Sequence, residues 1–108
     1  MTLREQQSVF ARLVGLLILK AYELGFELTL GDAWALANHK KGSFHYKRLA
    51  IDLNLFKGGR YLQDSQDHRP LGEYWESLHP MCTWGGRFRN KSGILIPDGN
   101  HYSFGEGR

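Results

Sequence analysis

Two histidines and two aspartates supply the residue types that a catalytic metal site requires. His45 and Asp52 lie seven positions apart, and Asp98 and His101 follow near the end of the chain. Two imidazoles and one carboxylate can hold a catalytic Zn²⁺ while one coordination position stays open for water. A further carboxylate beside the metal can accept the proton of the attacking water. If these four residues converge, the chain is a metallohydrolase, for which manganese or cobalt are alternative metals.

Asp52 lies in the strongest predicted strand of the chain, residues 49–56. Every second residue of this strand is apolar, so the apolar side chains share one face of the strand and Asp52 lies on the opposite face. A carboxylate in such a strand needs a cation, which can be an arginine or a metal ion. Because His45 is an odd number of positions from Asp52, the two would face opposite sides of one unbroken strand. Their convergence therefore requires a loop or bulge near Lys47 and Arg48.

The periodicity of apolar residues predicts one small α+β domain over residues 1–108, with a mainly antiparallel sheet and flanking helices. A first helix is expected over residues 3–23 with Gly25 as its C-cap, and a second over residues 73–79, ended by Pro80. The predicted strands cover residues 26–30, 49–56, 94–97 and 101–104. The predicted turns cover residues 33–37, 57–60 and 84–88, and residues 64–69 are expected to form a polar loop.

Composition narrows the class of protein. The formal net charge of +3 suits an anionic polymer such as nucleic acid or cell wall, but no basic helix or nucleic-acid motif occurs, so no nucleic acid is expected as partner. Cys82 is the only cysteine, which excludes an intrachain disulfide and a cysteine-rich zinc site, and it is expected to be a buried apolar side chain. The apolar run at 13–19 is too short for membrane insertion and lacks a cleavage site, so no signal peptide is expected.

The motifs together resemble a known family. The pattern Ser-x-His-x-x-x-x-Ala-x-Asp ends at Asp52, Trp-Gly-Gly begins at Trp84, and Asp-x-x-His ends at His101. This order resembles the M15 family of zinc peptidases, in particular the bacteriophage endolysin branch of L-alanyl-D-glutamate peptidases, with D-Ala-D-Ala carboxypeptidases as relatives. The resemblance runs from Leu28 to Phe104. It implies the α+β fold shared by D,D-peptidases and the Hedgehog signalling domain.

The resemblance also implies a role for each motif residue. His45, Asp52 and His101 match the three zinc ligands, and Asp98 matches the catalytic acid/base. The branch commonly carries an arginine after the stretch that corresponds to residues 31–34, where this chain has Ala35. Other residues are expected to support the ligands, line the substrate cleft or supply a cation near the substrate: Ser43, Arg48, Trp84, Gly85, Gly86 and Arg87. The remaining histidines, His39, His68 and His79, are expected at the surface or at helix ends, and not as ligands.

By this resemblance, the substrate is a peptidoglycan stem peptide, cut at a bond of the L-Ala–D-Glu type during lysis of a bacterial host. A D,D-carboxypeptidase that trims the terminal D-Ala is an alternative, and a non-catalytic wall-binding module of the same fold is another. Without a signal peptide, the protein is expected in the host cytoplasm until a holin-type partner permeabilises the membrane and it reaches the cell wall in the periplasm. A monomer is expected.

Overall fold

The computed structural model describes residues 1–34 and 44–105, apart from the side chains of His45 and Tyr46. Within these residues, one small α+β domain contains two helices and a five-stranded antiparallel sheet, which confirms the predicted class. The helices and strands are α1 (Leu3–Glu23), β1 (Glu27–Leu30), β2 (Ala50–Lys57), β3 (Arg60–Leu62), α2 (Arg69–Leu78), β4 (Cys82–Trp84) and β5 (His101–Phe104). Short 3-10 helices cover Phe44–Lys47, Ser65–His68 and Gly85–Arg87.

Helix α1 has the predicted bounds because local signals fix both of its ends. Thr2 and Glu5 form a reciprocal capping box at its start. At its end, Gly25 adopts a φ of +88°, and the Phe26 N–H donates to the Ala21 carbonyl oxygen, so that a Schellman turn closes the helix. The stripe of buried side chains comprises Phe10, Leu13, Leu17 and Ala21. No helix in the described part of the chain is long and apolar enough to cross a membrane.

The sheet has the strand order β1-β2-β5-β4, and β3 forms a hairpin with β2. Strand β2 alternates as predicted, with Ile51, Leu53 and Leu55 buried and the residues between them partly exposed. These side chains join the stripe of α1 and the Trp75 ring in one core, where Trp75 meets Phe10 edge to face at 5.9 Å. The core therefore holds β2 and β5 rigidly side by side.

Several predicted elements differ from the structure. Helix α2 begins at Arg69, because Pro70 falls in its first turn, where a missing N–H costs nothing. Residues 94–97 were expected to be a strand, but they form only one bridge, between Arg89 and Leu95, and Ile94 is 61% exposed. Residues 65–68, predicted as loop, form a 3-10 helix, and the short strands β3 and β4 were missed. Of the turn predicted at 33–37, residues 35–37 lie outside the described residues.

Candidate metal centre

Asp52 and His101 are brought together by the pairing of β2 with β5. They lie directly opposite each other in the antiparallel register, and Asp52 Oδ1 is 3.6 Å from His101 Nδ1. The His101 side chain is 4% exposed and that of Asp52 is 22% exposed, so that the pair is accessible from the Asp52 side. The distance exceeds that of an ordinary N–H···O hydrogen bond. It is close to the roughly 3.3 Å that separates two donor atoms held at about 2.0–2.1 Å from one tetrahedral metal ion.

Asp98 is tied to this pair through a tight turn that leads into β5. The His101 N–H donates to the Asp98 carbonyl oxygen (3.1 Å), and the Asp98 N–H donates to the Gly85 carbonyl oxygen (2.9 Å). Asp98 is exposed and lies three residues before the buried His101. The Phe88 ring packs against His101, with centroids 5.2 Å apart and the ring planes tilted by 56°.

Residues of the Trp-Gly-Gly motif pack against this turn. Gly85 approaches so closely that a Cβ there would lie 2.2 Å from the Asp98 carbonyl oxygen. The Trp84 indole N–H donates to the Gly99 carbonyl oxygen (2.7 Å). Trp84 was expected to line the substrate cleft, but its side chain is 1% exposed, so it anchors the turn instead. A Cβ at Gly86 would lie 2.2 Å from the Trp84 ring, so Gly86 lets the chain pass over that ring.

The predicted break between His45 and Asp52 is present. The backbone of His45 belongs to the 3-10 helix Phe44–Lys47. The next residue, Arg48, has a φ of +58°. The Leu49 N–H donates to the Phe44 carbonyl oxygen (2.9 Å) and closes this turn before β2 begins. The His45 side chain lies outside the described part of the structure, and so do three other residues with sequence expectations: Ala35, His39 and Ser43.

The described residues alone therefore supply two of the three predicted ligands. Among them, no group of three His, Cys, Asp or Glu side chains lies close enough to hold a metal ion. Asp52 and His101 are the two described ligands of the candidate centre, and His45 stays the predicted third ligand. Their chemistry fits Zn²⁺, because one carboxylate and two imidazoles are a known catalytic donor set.

The loop after β1 lies along the edge of β2 at Asp52. The Gly31 N–H donates to the Asp52 carbonyl oxygen (2.7 Å), and the Asp52 N–H donates to the Asp32 carbonyl oxygen (2.9 Å). A Cβ at Gly31 would lie 3.1 Å from Asp52 Cβ, so a side chain there would press on Asp52 and displace it by a few tenths of an ångström. Three positions after Gly31, the Trp34 ring packs against the Arg48 guanidinium, 4.6 Å from Cζ to the ring centroid.

The two arginines expected near the substrate differ in their partners. Arg87 is held by two carboxylates, since its Nε lies 3.0 Å from Glu76 Oε1 and its Nη2 lies 3.8 Å from Glu73 Oε2. Its Cζ also lies 5.5 Å from the centroid of the Trp84 ring. Arg48 instead projects from an exposed turn and stacks on Trp34. Of the two, Arg48 is the cation that can receive a ligand.

His68 and the other titratable groups outside the centre have structural roles. His68 lies at the start of α2, as expected, but it is 3% exposed, and its Nδ1 lies 2.8 Å from the Tyr102 hydroxyl oxygen. Burial lowers the pKa of His68 to about 4, so it is neutral at pH 7. His79 follows α2 and accepts the Met81 N–H (3.0 Å). Cys82 is buried as expected, and burial raises the pKa of its thiol to about 12.

A polar cleft of about 250 Å³ opens beside Asp98, and sequence reasoning missed it. One wall includes Tyr61, Leu62, Gln63 and Ser65, of which only Ser65 fell in a predicted element, the loop at 64–69, and the other wall runs from Pro97 to Asn100. The Gly99 N–H donates to Ser65 Oγ (3.0 Å) and fixes the two walls together. Asp98 thus lines a polar cleft on the same side of the turn as Ser65.

The candidate centre thus consists of Asp52, His101 and Asp98, with His45 as the predicted third ligand. Its similarity to the M15 peptidases stays a prediction that depends on the motif residues. No protein-family model, curated protein or solved structure matches the chain.

Proposed function

We propose that the protein is a zinc-dependent peptidoglycan endopeptidase with the M15 fold, which cleaves stem peptides at a bond of the L-Ala–D-Glu type. One observation carries the proposal: Asp52 Oδ1 on β2 lies 3.6 Å from His101 Nδ1, and the turn that leads into His101 also carries Asp98. His45, Asp52 and His101 would hold the metal. When bound, Zn²⁺ polarises a substrate carbonyl and lowers the pKa of water.

The residues of the chain itself supply binding, orientation and proton transfer. Asp98 accepts the proton of the attacking water and returns it to the leaving amine, because it is exposed, lines the cleft and is tied to His101 by a backbone hydrogen bond. The hydrogen bonds from Asp98 to Gly85 and from His101 to Asp98 fix the spacing between acid/base and ligand. The Phe88 ring contacts the imidazole, with the two ring planes tilted by 56°, and restricts its orientation.

The biological setting follows from this activity. A stem-peptide endopeptidase weakens the wall, so the protein acts in lysis of a bacterial host. It is held in the host cytoplasm until a holin-type partner opens the membrane. The net charge of +3 favours binding to an anionic wall.

The test combines metal content with wall hydrolysis. The purified protein should contain one zinc per chain, measured by mass spectrometry of the metal, and should clear a suspension of purified sacculi until a chelator is added. Asp52→Ala and His101→Ala should lose both zinc and activity. Asp98→Ala should keep zinc and lose about 10²–10⁴-fold in turnover, the usual contribution of one acid/base group.

The control is His79→Gln, which removes an imidazole outside the centre and should keep both zinc and activity. Full wall-degrading activity of Asp98→Ala would remove that residue from the mechanism, and a zinc-free active protein would end the proposal. Mass spectrometry of the released muropeptides identifies the bond. Loss of a terminal D-Ala alone would indicate the carboxypeptidase instead.

A further inference from the structure

We propose that Arg48, stacked on Trp34, is a subsite for a carboxylate of the substrate. The inference depends on the proposed peptidase function, since it names what the enzyme recognises next to the scissile bond. Three observations support it: the backbone conformation of Arg48, the geometry of its guanidinium, and its position relative to Asp52.

The backbone at Arg48 is one that its side chain disfavours. Its φ of +58° is the left-handed conformation, and Arg48 is the non-glycine residue with a positive φ in the described part of the chain. The turn itself is closed by the backbone bond from Leu49 to Phe44, which a glycine at position 48 would make with less strain. Strain of this kind occurs most often at ligand-binding and catalytic positions. We therefore infer that the arginine side chain at position 48 has a function that offsets the backbone strain.

The guanidinium of Arg48 is exposed and packs against an aromatic ring, so its N–H groups are accessible to a ligand. Its Cζ lies 4.6 Å from the Trp34 ring centroid, so the ring covers one face of the guanidinium and leaves the N–H groups at its rim for a ligand. Both side chains are exposed. Within the described residues, no carboxylate forms an ion pair with Arg48, in contrast to Arg87 with its two glutamates. A planar guanidinium with its rim exposed suits a carboxylate, which it binds through two parallel hydrogen bonds.

The position of this cation fits a peptide bound at the metal centre. Arg48 lies four residues before Asp52, and Trp34 lies two residues after Asp32, whose carbonyl oxygen is bonded to Asp52. At about 3.3 Å per residue, the backbone between positions 48 and 52 spans at most about 13 Å. Both residues of the stacked pair are thus close along the backbone to Asp52 or to its hydrogen-bond partner Asp32. A peptide of a few residues bound at the centre can span this distance, and a stem peptide carries carboxylates over such a length.

The experiment compares synthetic stem peptides in three forms: unmodified, with the internal D-glutamate carboxyl amidated, and with the C-terminal carboxyl amidated. The wild type should cleave the unmodified peptide with a kcat/KM about tenfold higher than that for one of the two amidated peptides, mainly because KM is lower. The amidated peptide that is cleaved less efficiently identifies which carboxylate Arg48 binds. Arg48→Gly and Arg48→Ala should both lose this preference. Arg12→Gln, which removes one positive charge from the exposed face of α1, should keep it.

The two variants at position 48 also separate binding from folding. Both remove the guanidinium, but Arg48→Gly relieves the left-handed strain and should melt about 4–8 °C above Arg48→Ala. A preference that survives in both variants, or a wild type without any preference, would overturn the subsite. If the wild type cleaves none of the peptides, the proposed function fails, and calorimetric binding of the same three peptides to both proteins decides the subsite by the same criterion.

Discussion

Gly85 lies directly under the turn that joins Asp98 to His101, and Gly85→Ala tests how tightly that turn is held. The new Cβ would lie 2.2 Å from the Asp98 carbonyl oxygen and 2.9 Å from His101 Cβ. Carbon–oxygen contacts need about 3.3 Å, so the two backbone segments must separate by about 1 Å. Overpacking of this kind costs about 1–3 kcal/mol, and each kcal/mol lowers the melting temperature by about 4–8 °C in a domain of this size. A displacement of about 1 Å at a catalytic group lowers turnover by about a hundredfold.

Two measurements on Gly85→Ala test these expectations. Thermal unfolding by circular dichroism gives the loss of stability, and hydrolysis of sacculi gives the loss of turnover. The matched control is Gly15→Ala, in the middle of α1, where no atom lies within 4 Å of the new Cβ. It should stabilise the protein by about 0.5–1 kcal/mol because alanine favours a helix. Wild-type melting and wild-type turnover in Gly85→Ala would refute the inference that Gly85 sets the position of Asp98.

Two further predictions concern buried groups. The His68 pKa falls from 6.5 when unfolded to about 4 when folded, so the unfolded chain binds more protons in that window. Stability should drop by up to about 3 kcal/mol as the pH falls from 6.5 to about 4, and denaturant melts of His68→Asn should show a weaker pH dependence. Cys82, buried and with its pKa raised to about 12, should react with a thiol reagent only after unfolding, and fast labelling of native protein would contradict its burial.

Elements with local signals could be predicted closely from the sequence. Helix α1 has the predicted bounds, and β5 was predicted at His101–Phe104 because its alternation is short but clear. Strand β2 was placed within one residue at each end. Strands β3 and β4 are three residues long, which is too short for any periodicity to show. For residues 94–97, a strand was predicted that the structure does not contain. The apolar side chains of Ile94, Leu95 and Ile96 suggested a buried strand, but they are exposed.

The site could be predicted by residue type but not by geometry. Asp52, Asp98 and His101 were predicted from the sequence as site residues, and their function stays a prediction, whereas the predicted break before β2 is present. The role of Trp84 was not predicted, because a tryptophan in a motif suggests a cleft wall, whereas here its indole anchors Gly99. The burial of His68 against Tyr102 had no sequence signal, since the two residues lie 34 positions apart.

The sequence by itself determined the α+β class, the first helix, the alternation of β2 and the donor types of the centre. These depend on backbone preferences and periodicities within a few residues of one another. The tertiary structure alone decided the register that sets Asp52 opposite His101, the close approach of Gly85 to Asp98 and the stacking of Arg48 on Trp34. Asp52 and His101 are far apart in the chain, and only the packing of the whole core fixes how such distant segments pair.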